Sequence, residues 1–134
     1  NTFRNDNPRM NARVDFEVNQ PQKILLTSQE INKDSNFFKS GDVIINRSSD
    51  LNKVIAELSN TEINSILVEA GPNLVNAFLD NHLVDEIIIY KSNITLGDEG
   101  VSWFENKTIE SLDFDLKSSL KINGDSKETY LKRS

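Results

Sequence analysis

The sequence contains no cysteine. Disulfides and thiolate metal sites are therefore excluded, which fits a cytoplasmic chain in a reducing compartment. It contains a single histidine, His82, so neither a structural zinc site nor a Ser-His-Asp nucleophile has residues to build on. No stretch approaches the roughly 18 apolar residues of a membrane span, and no signal peptide is visible. No Gly-rich loop ending in Lys-Ser or Lys-Thr occurs, so nucleotide binding of that kind has no support. Basic residues number 15 against 21 acidic ones, for a formal charge of -6, and no concentrated basic face offsets the excess. Nucleic acid is an improbable partner for such a chain. There is also no initiator methionine, and the first dozen residues are polar and turn-forming. The expectation is a segment of a longer protein.

What is present fits one α/β domain spanning residues 1–134. Pro8, Pro21 and many Asn and Asp residues mark residues 1–21 as loop. The apolar runs Lys23–Ser28 and Gly41–Asn46 have the length of buried strands. Asp50 suits a helix N-cap, with Leu51, Val54, Ile55 and Leu58 following at helical spacing. Ser65–Glu69 is expected as a buried strand, Ala70-Gly71-Pro72 as a sharp turn, and the next residues as a helix with Leu74, Val75, Phe78 and Leu79 on one face. Val84–Tyr90 completes a strand–helix–strand unit of the kind that builds parallel sheets. Beyond Gly97 the pattern alternates around an Asn123-Gly124 hairpin signal. The expected fold is a mixed, mostly parallel sheet flanked by helices, with a C-terminal antiparallel hairpin. Trp103 and Phe104 are expected to plug a core edge, His82 to sit at an exposed helix end, and Asp113, Asp115 and Asp125 to face solvent.

Two constellations could carry chemistry. The first is Glu69-Ala-Gly-Pro-Asn-Leu74, where Gly71 permits close backbone approach and Pro72 suits the first helical position. The free N–H groups and positive dipole end of that helix would receive a phosphate, although a plain tight turn has the same local pattern. A carboxylate such as Glu69, at the end of an apolar strand, lies where open α/β sheets bind ligands. The second runs from Thr2 to Arg13. Asp6 and Asn7 ahead of Pro8 favour a rigid turn, and Arg4, Arg9 and Arg13 offer planar forks for phosphate oxygens. A solvated terminus is the competing reading.

Together these residues resemble a known family. Thr2-x-x-x-Asp6-Asn7-Pro8-x-Met10-x-x-Arg13, then Ile66-Leu-Val-Glu69-Ala-Gly-Pro-Asn-Leu74, then Leu83-Val-Asp85-Glu86 and Leu96-Gly97 are similar to the reductase domain of the bifunctional riboflavin-biosynthesis deaminase-reductases. Met10 stands where that family has leucine, a change that preserves volume. Lys91-Ser-Asn-Ile-Thr95 departs from the family's Ala-Pro-Lys. The resemblance implies a dihydrofolate-reductase-like fold, a homodimer, and reduction of 5-amino-6-(5-phosphoribosylamino)uracil to its ribitylamino product with NADPH. It implies that a first strand, helix and strand precede Asn1, and it assigns no deaminase activity to these residues.

Carried over position by position, the resemblance makes Thr2, Asp6, Ser28 and the stretch Gly71, Pro72, Asn73, Leu74, Val75, Asn76 and Ala77 cofactor-binding. Met10, Arg13 and Glu69 become substrate-binding, and Asp6 and Glu69 the candidate catalytic residues. No metal is implied. Two rivals remain: a same-fold reductase acting on another pteridine-like substrate, and a non-catalytic fragment serving assembly.

Overall fold

The computed structural model describes residues 7–95, 97, 100–104 and 107–134. Contacts divide the chain into two compact units, Asn1–Leu67 and Val68–Ser134. In the first unit, β1 (Lys23–Leu26) and β2 (Val43–Asn46) lie in parallel, with Lys23 opposite Val43 and Leu26 opposite Asn46. Parallel neighbours cannot be joined by a tight turn. Residues 27–42 supply the crossover and include the short helix α1 (Asn36–Lys39). A single helical turn has little stability of its own, and here burial of Phe37, at 3% exposure, holds it in place. Its first amide is capped from a distance, since Asn36 N donates to Asn7 Oδ1 at 2.7 Å.

The helix α2 (Leu51–Ser59) forms as its spacing predicts. Asp50 is the N-cap, and its Oδ1 accepts the Lys53 amide at 3.2 Å. Leu51, Val54 and Leu58 form the buried stripe, with Val54 only 1% exposed. Removing such a cap typically costs about 1 kcal/mol.

The second unit packs helix α3 (Pro72–Asp80) with a three-stranded antiparallel sheet made of β3 (Glu86–Lys91), β4 (Phe114–Ile122) and β5 (Asp125–Lys132). The strand order is β3-β5-β4, so the last strand in sequence is central. Asn123 (φ 49°) and Gly124 (φ 94°) make the two-residue connection that the Asn-Gly pair predicted. The helix α3 stops at a left-handed residue, His82 (φ 56°). There His82 N donates to Leu79 O and Leu83 N to Phe78 O, each at 3.0 Å, which satisfies two terminal carbonyls. His82 is exposed, as expected.

Leu79, Phe114 and Tyr130 form the buried centre of this unit. Val75, Val84, Ile87, Ile89, Phe104, Ile109 and Leu112 pack around it. Strand register explains the sidedness. Tyr130 lies opposite Ile87 on one side and Leu116 on the other, so these side chains share its face. The opposite face carries Ile88, Tyr90, Leu120, Ile122 and Leu131, all exposed.

Two expectations are corrected. Ser65–Glu69 forms no strand: it is an irregular segment with Leu67 75% and Ile66 41% exposed. Apolar composition gives a strand only where a neighbour accepts its backbone groups, and the ladders of the described residues do not include this segment. The strand–helix–strand unit is therefore present only as its helix and second strand, and β3 pairs antiparallel with β5. Trp103 is 56% exposed, whereas its neighbour Phe104 does pack against the core. The carbonyl of Trp103 accepts the Asn76 side-chain amide at 2.9 Å, so the backbone is what is anchored there. Asp113, Asp115 and Asp125 are exposed, as expected.

At the far end of the core face, Glu128 Oε2 accepts the Tyr130 hydroxyl and pairs with Lys91 Nζ, each at 2.6 Å. These contacts, Lys91 first, hold the Glu128 carboxyl below its ordinary range. A carboxylate with a depressed folded-state pKa stabilises the fold fully above its unfolded value, and that contribution is lost as pH falls through the folded value. Glu128→Gln is expected to lower the melting temperature at pH 7. The difference from wild type should close as pH falls through the depressed folded-state value, below which both proteins are neutral at this position. Thermal melts across that pH series check it, and a difference independent of pH would show that charge plays no part.

Candidate functional site

The candidate residues read from the sequence fall on both units. In the first, β1 ends at Leu26, and just beyond it Thr27 Oγ1 accepts the Gln29 amide at 3.2 Å. Beside this carboxyl end lies a cavity of about 460 Å³. Leu25 and Ile31 give it apolar wall, and Asn7, Thr27 and Ser35 give it hydrogen-bonding groups. Ser28, the nominated cofactor residue, is exposed between Thr27 and Glu30, both of which line the cavity. The carboxyl edge is where open sheets bind ligands.

Ser35 Oγ is itself buried without a hydrogen-bond partner among the described residues, so the side-chain groups the cavity offers a ligand are those of Asn7, Thr27 and Asn32. The charges on the wall are the carboxylates of Glu30 and Asp34. They disfavour a phosphate inside this cavity and suit the hydroxyls of a ribose. Ser35 and Thr27 escaped the sequence reading because only the crossover through α1 brings them to the strand end. Asn7 stood within a quoted motif, yet its capping of α1 had no local signal.

Met10 and Arg13 lie on the loop that leads into this unit. Met10 has φ 49°, a left-handed conformation uncommon for a residue with a β-carbon. Arg13 is exposed, so its guanidinium is accessible to an anionic ligand. The loop closes on itself, since Ala12 N donates to Gln20 Oε1 at 2.9 Å and Gln20 Nε2 returns to Ala12 O at 3.3 Å. Thr2 and Asp6, together with Leu96, lie outside the described residues.

In the second unit, Gly71 is the N-cap of α3 with extended angles (φ -71°, ψ 170°), and Pro72 begins the helix. Gly71 O accepts the amides of Leu74 and Val75, each at 3.2 Å. The donors at the very tip are thus the amides of Gly71 and Asn73, which precede the helix's own bonding. Glu69 is exposed two residues before this turn, on the irregular segment rather than at the end of a strand.

The rest of the nominated stretch points elsewhere. The Val75 side chain packs against the core. Asn76 is 6% exposed, and its Nδ2 bonds Pro72 O at 2.8 Å and Trp103 O at 2.9 Å. Ala77 O accepts both the amide and the side chain of Asn81. Only Gly71, Pro72, Asn73 and Leu74 form the tip of the helix.

A shallower hollow of about 340 Å³ lies at the C-terminal end of the sheet, lined by Asp115, Lys117, Lys132 and Arg133 among others. None of the nominated residues lines it. Arg133 is already engaged by Asp115 at 2.8 Å and Asp113 at 3.5 Å. Among the described residues, no group of three or more His, Asp and Glu could hold a metal ion.

With this geometry in view, the likenesses to known proteins are informative. The riboflavin biosynthesis protein RibD of Buchnera aphidicola subsp. Baizongia pistaciae is 35% identical over 85 residues, covering 60% of this chain and 22% of that protein. The 5-amino-6-(5-phosphoribosylamino)uracil reductase of Buchnera aphidicola subsp. Acyrthosiphon pisum is 31% identical over 84 residues, covering 60% of this chain and 41% of its own. Among solved structures, Acinetobacter baumannii RibD superposes with a TM-score of 0.86 at 21% identity, over 99% of this chain and 45% of the other. That superposition shows the fold, a dihydrofolate-reductase-like α/β arrangement. The chain spans less than half the length of each of these relatives. The family model of the RibD C-terminal domain matches residues 1–127, and the chain accordingly belongs to the RibD C-terminal domain family.

Proposed function

We propose that this chain forms the reductase part of a riboflavin-pathway enzyme and reduces 5-amino-6-(5-phosphoribosylamino)uracil to its ribitylamino product with NADPH. The observation that carries the reading is the family match across residues 1–127, joined by a relative that bears the name of this reductase. The cavity beside β1 has hydrogen-bonding groups suited to ribose hydroxyls, and, in the other unit, the amide-bearing tip of α3 suits a phosphate.

When bound, NADPH supplies the hydride that reduces the ring-opened imine at the sugar carbon attached to the amine. The imine nitrogen gains a proton, and the product is a secondary amine on a ribityl chain. The protein's task is alignment and exclusion of water. Thr2, Ser28 and the turn Gly71–Leu74 hold the cofactor, with Val75, Asn76 and Ala77 supporting that turn from within the helix. Arg13 takes the substrate phosphate, Met10 packs beside the pyrimidine, and Glu69 accepts a hydrogen bond from a polar edge of it. Asp6 orients the ribose or relays the proton. The reading carries with it a cytoplasmic location.

A homodimer belongs to the same proposal. The exposed apolar face of the β3-β5-β4 sheet is what supports it, with Lys127 and Asp125 on the same face giving both signs of charge for a two-fold contact.

Four outcomes are expected of the protein. Valine adopts φ -71°, ψ 170° without strain, so Gly71→Val should fold, while its NADPH dissociation constant rises more than about tenfold because side-chain atoms obstruct the amides. Calorimetric titration checks this, and unchanged affinity would remove the phosphate turn from the site.

Arg13→Ala should lose a charge-assisted contact of roughly 1.5–3 kcal/mol and raise substrate KM with NADPH affinity held. Glu69→Gln should keep its fold and lower kcat/KM by about tenfold or more. Steady-state kinetics beside NADPH titration separate these outcomes: a fall in NADPH affinity alone would reassign Arg13, and intact turnover would remove Glu69.

Leu120→Lys should convert a dimer to a monomer by sedimentation, since it sets a charge in the centre of the proposed contact. A dimer that survives the substitution would exclude this face.

A further inference from the structure

Lys23 opens β1 with its side chain only 6% exposed. A buried ammonium is costly unless its protons are used, and burial lowers the pKa of this one. Among the described residues no carboxylate pairs with it. Instead Nζ donates to Phe37 O at 3.0 Å and to Ser40 Oγ at 2.6 Å, and it stands 5.4 Å from the centre of the Phe37 ring.

Ser40 passes the contact on. Its hydroxyl carries one proton and has three carbonyls in reach, those of Arg9 at 2.8 Å, Asn36 at 2.7 Å and Phe37 at 3.3 Å. Asn36 O already accepts the Ser40 amide and Phe37 O the ammonium. Of these acceptors Arg9 O is the one outside the helix, 31 residues away in sequence. Two residues earlier, Asn7 Oδ1 holds the Asn36 amide, and Asn7 has φ 43°. The next residue after Arg9 is Met10, with φ 49°. Left-handed angles in residues with a β-carbon persist where surrounding contacts over-determine them. The anchors at Asn7 and Arg9 on one side, and the Ala12–Gln20 pair on the other, do so here.

We propose that Lys23 is a positioning residue for substrate recognition: through Ser40 it pins the Arg9 carbonyl and thereby sets the backbone of Met10 and the approach to Arg13. The proposal rests on the reading of Met10 and Arg13 as substrate-binding. Lys23 itself touches neither substrate nor cofactor. A lysine serving only to fill space would leave its protons without partners, whereas this one binds a helix carbonyl and the Ser40 hydroxyl that reaches the loop at Arg9.

The test uses the full-length protein with Lys23→Met, Ser40→Ala, the double variant and Lys23→Arg. Lys23→Met keeps the length of the stem and removes the charge. Ser40→Ala breaks the link to Arg9 while leaving the bond to Phe37 O, and it carries the test if Lys23→Met does not fold. Each single variant should raise KM for the ribosylamino-pyrimidine about tenfold, with kcat and NADPH affinity changing less than about twofold. The double variant should be no worse than the singles, because both remove one link. Lys23→Arg, which can donate to the same two oxygens, should restore KM.

Hydrogen exchange on the ligand-free protein gives a readout independent of activity: amides of residues 10–13 should exchange faster while those of β1 and β2 hold. The proposal is overturned if those loop amides are unchanged in a folded variant, or if exchange rises across β1 and β2 alike with KM unaltered. A wild-type protein that does not reduce this substrate would defeat the functional reading, and the exchange measurement would still decide the linkage.

Discussion

Tyr130 carries the constraint on which the second unit depends. It sits in the central strand, 9% exposed, in contact with Leu79 of the helix and Phe114 of the edge strand. Its ring fixes which face of the sheet turns inward, because strand alternation then sends Ile87 and Ile89 inward and Ile88 and Tyr90 outward. Its hydroxyl needs a partner at the edge of the core, and Glu128 provides one while being balanced by Lys91. A slip of one residue in β5 would reverse the faces and expose the core. The helix α3 depends on the same cluster, since Val75 and Leu79 dock there and leave the Gly71–Leu74 tip directed to other tasks.

In the first unit a polar group has the comparable role. Lys23 is buried beneath α1 and binds its carbonyl, so a helix of four residues, too short to persist alone, has a fixed partner. The same helix receives Asn7 at its start and sends Ser40 to Arg9 from its end. The loop bearing Met10 and Arg13 thus has its shape determined by strand and helix, although it contains no regular structure itself. Loops that carry function gain precision in this way, from the scaffold that holds them.

Each unit presents its own kind of surface. The cavity beside β1 offers hydroxyl-binding groups and two carboxylates, a composition for sugar rather than phosphate. The α3 tip offers amides and a helix dipole, a composition for phosphate. The sheet of the second unit leaves an apolar face uncovered, which is the kind of surface that association buries.

The sequence by itself determined what depends on near neighbours. Asp50 and the Leu51-Val54-Leu58 spacing specified α2, Gly71-Pro72 specified the start of α3, and Asn123-Gly124 specified the hairpin, because capping, helical periodicity and left-handed turns act over a few residues. The motifs from Asn7 to Arg13 and from Ile66 to Leu74 were equally legible as family marks, since they are read in order along the chain. Tertiary structure decided what depends on distant partners. Ser65–Glu69 has a strand's composition but no ladder among the described residues, since no single strand contains its own partner. The role of Asn76 inside the helix and the use of Trp103 through its carbonyl arise from contacts between segments far apart in sequence. Lys23 shows the reason most plainly: its type announces a charged surface residue, and only the crossover that lays α1 over β1 makes it a buried donor.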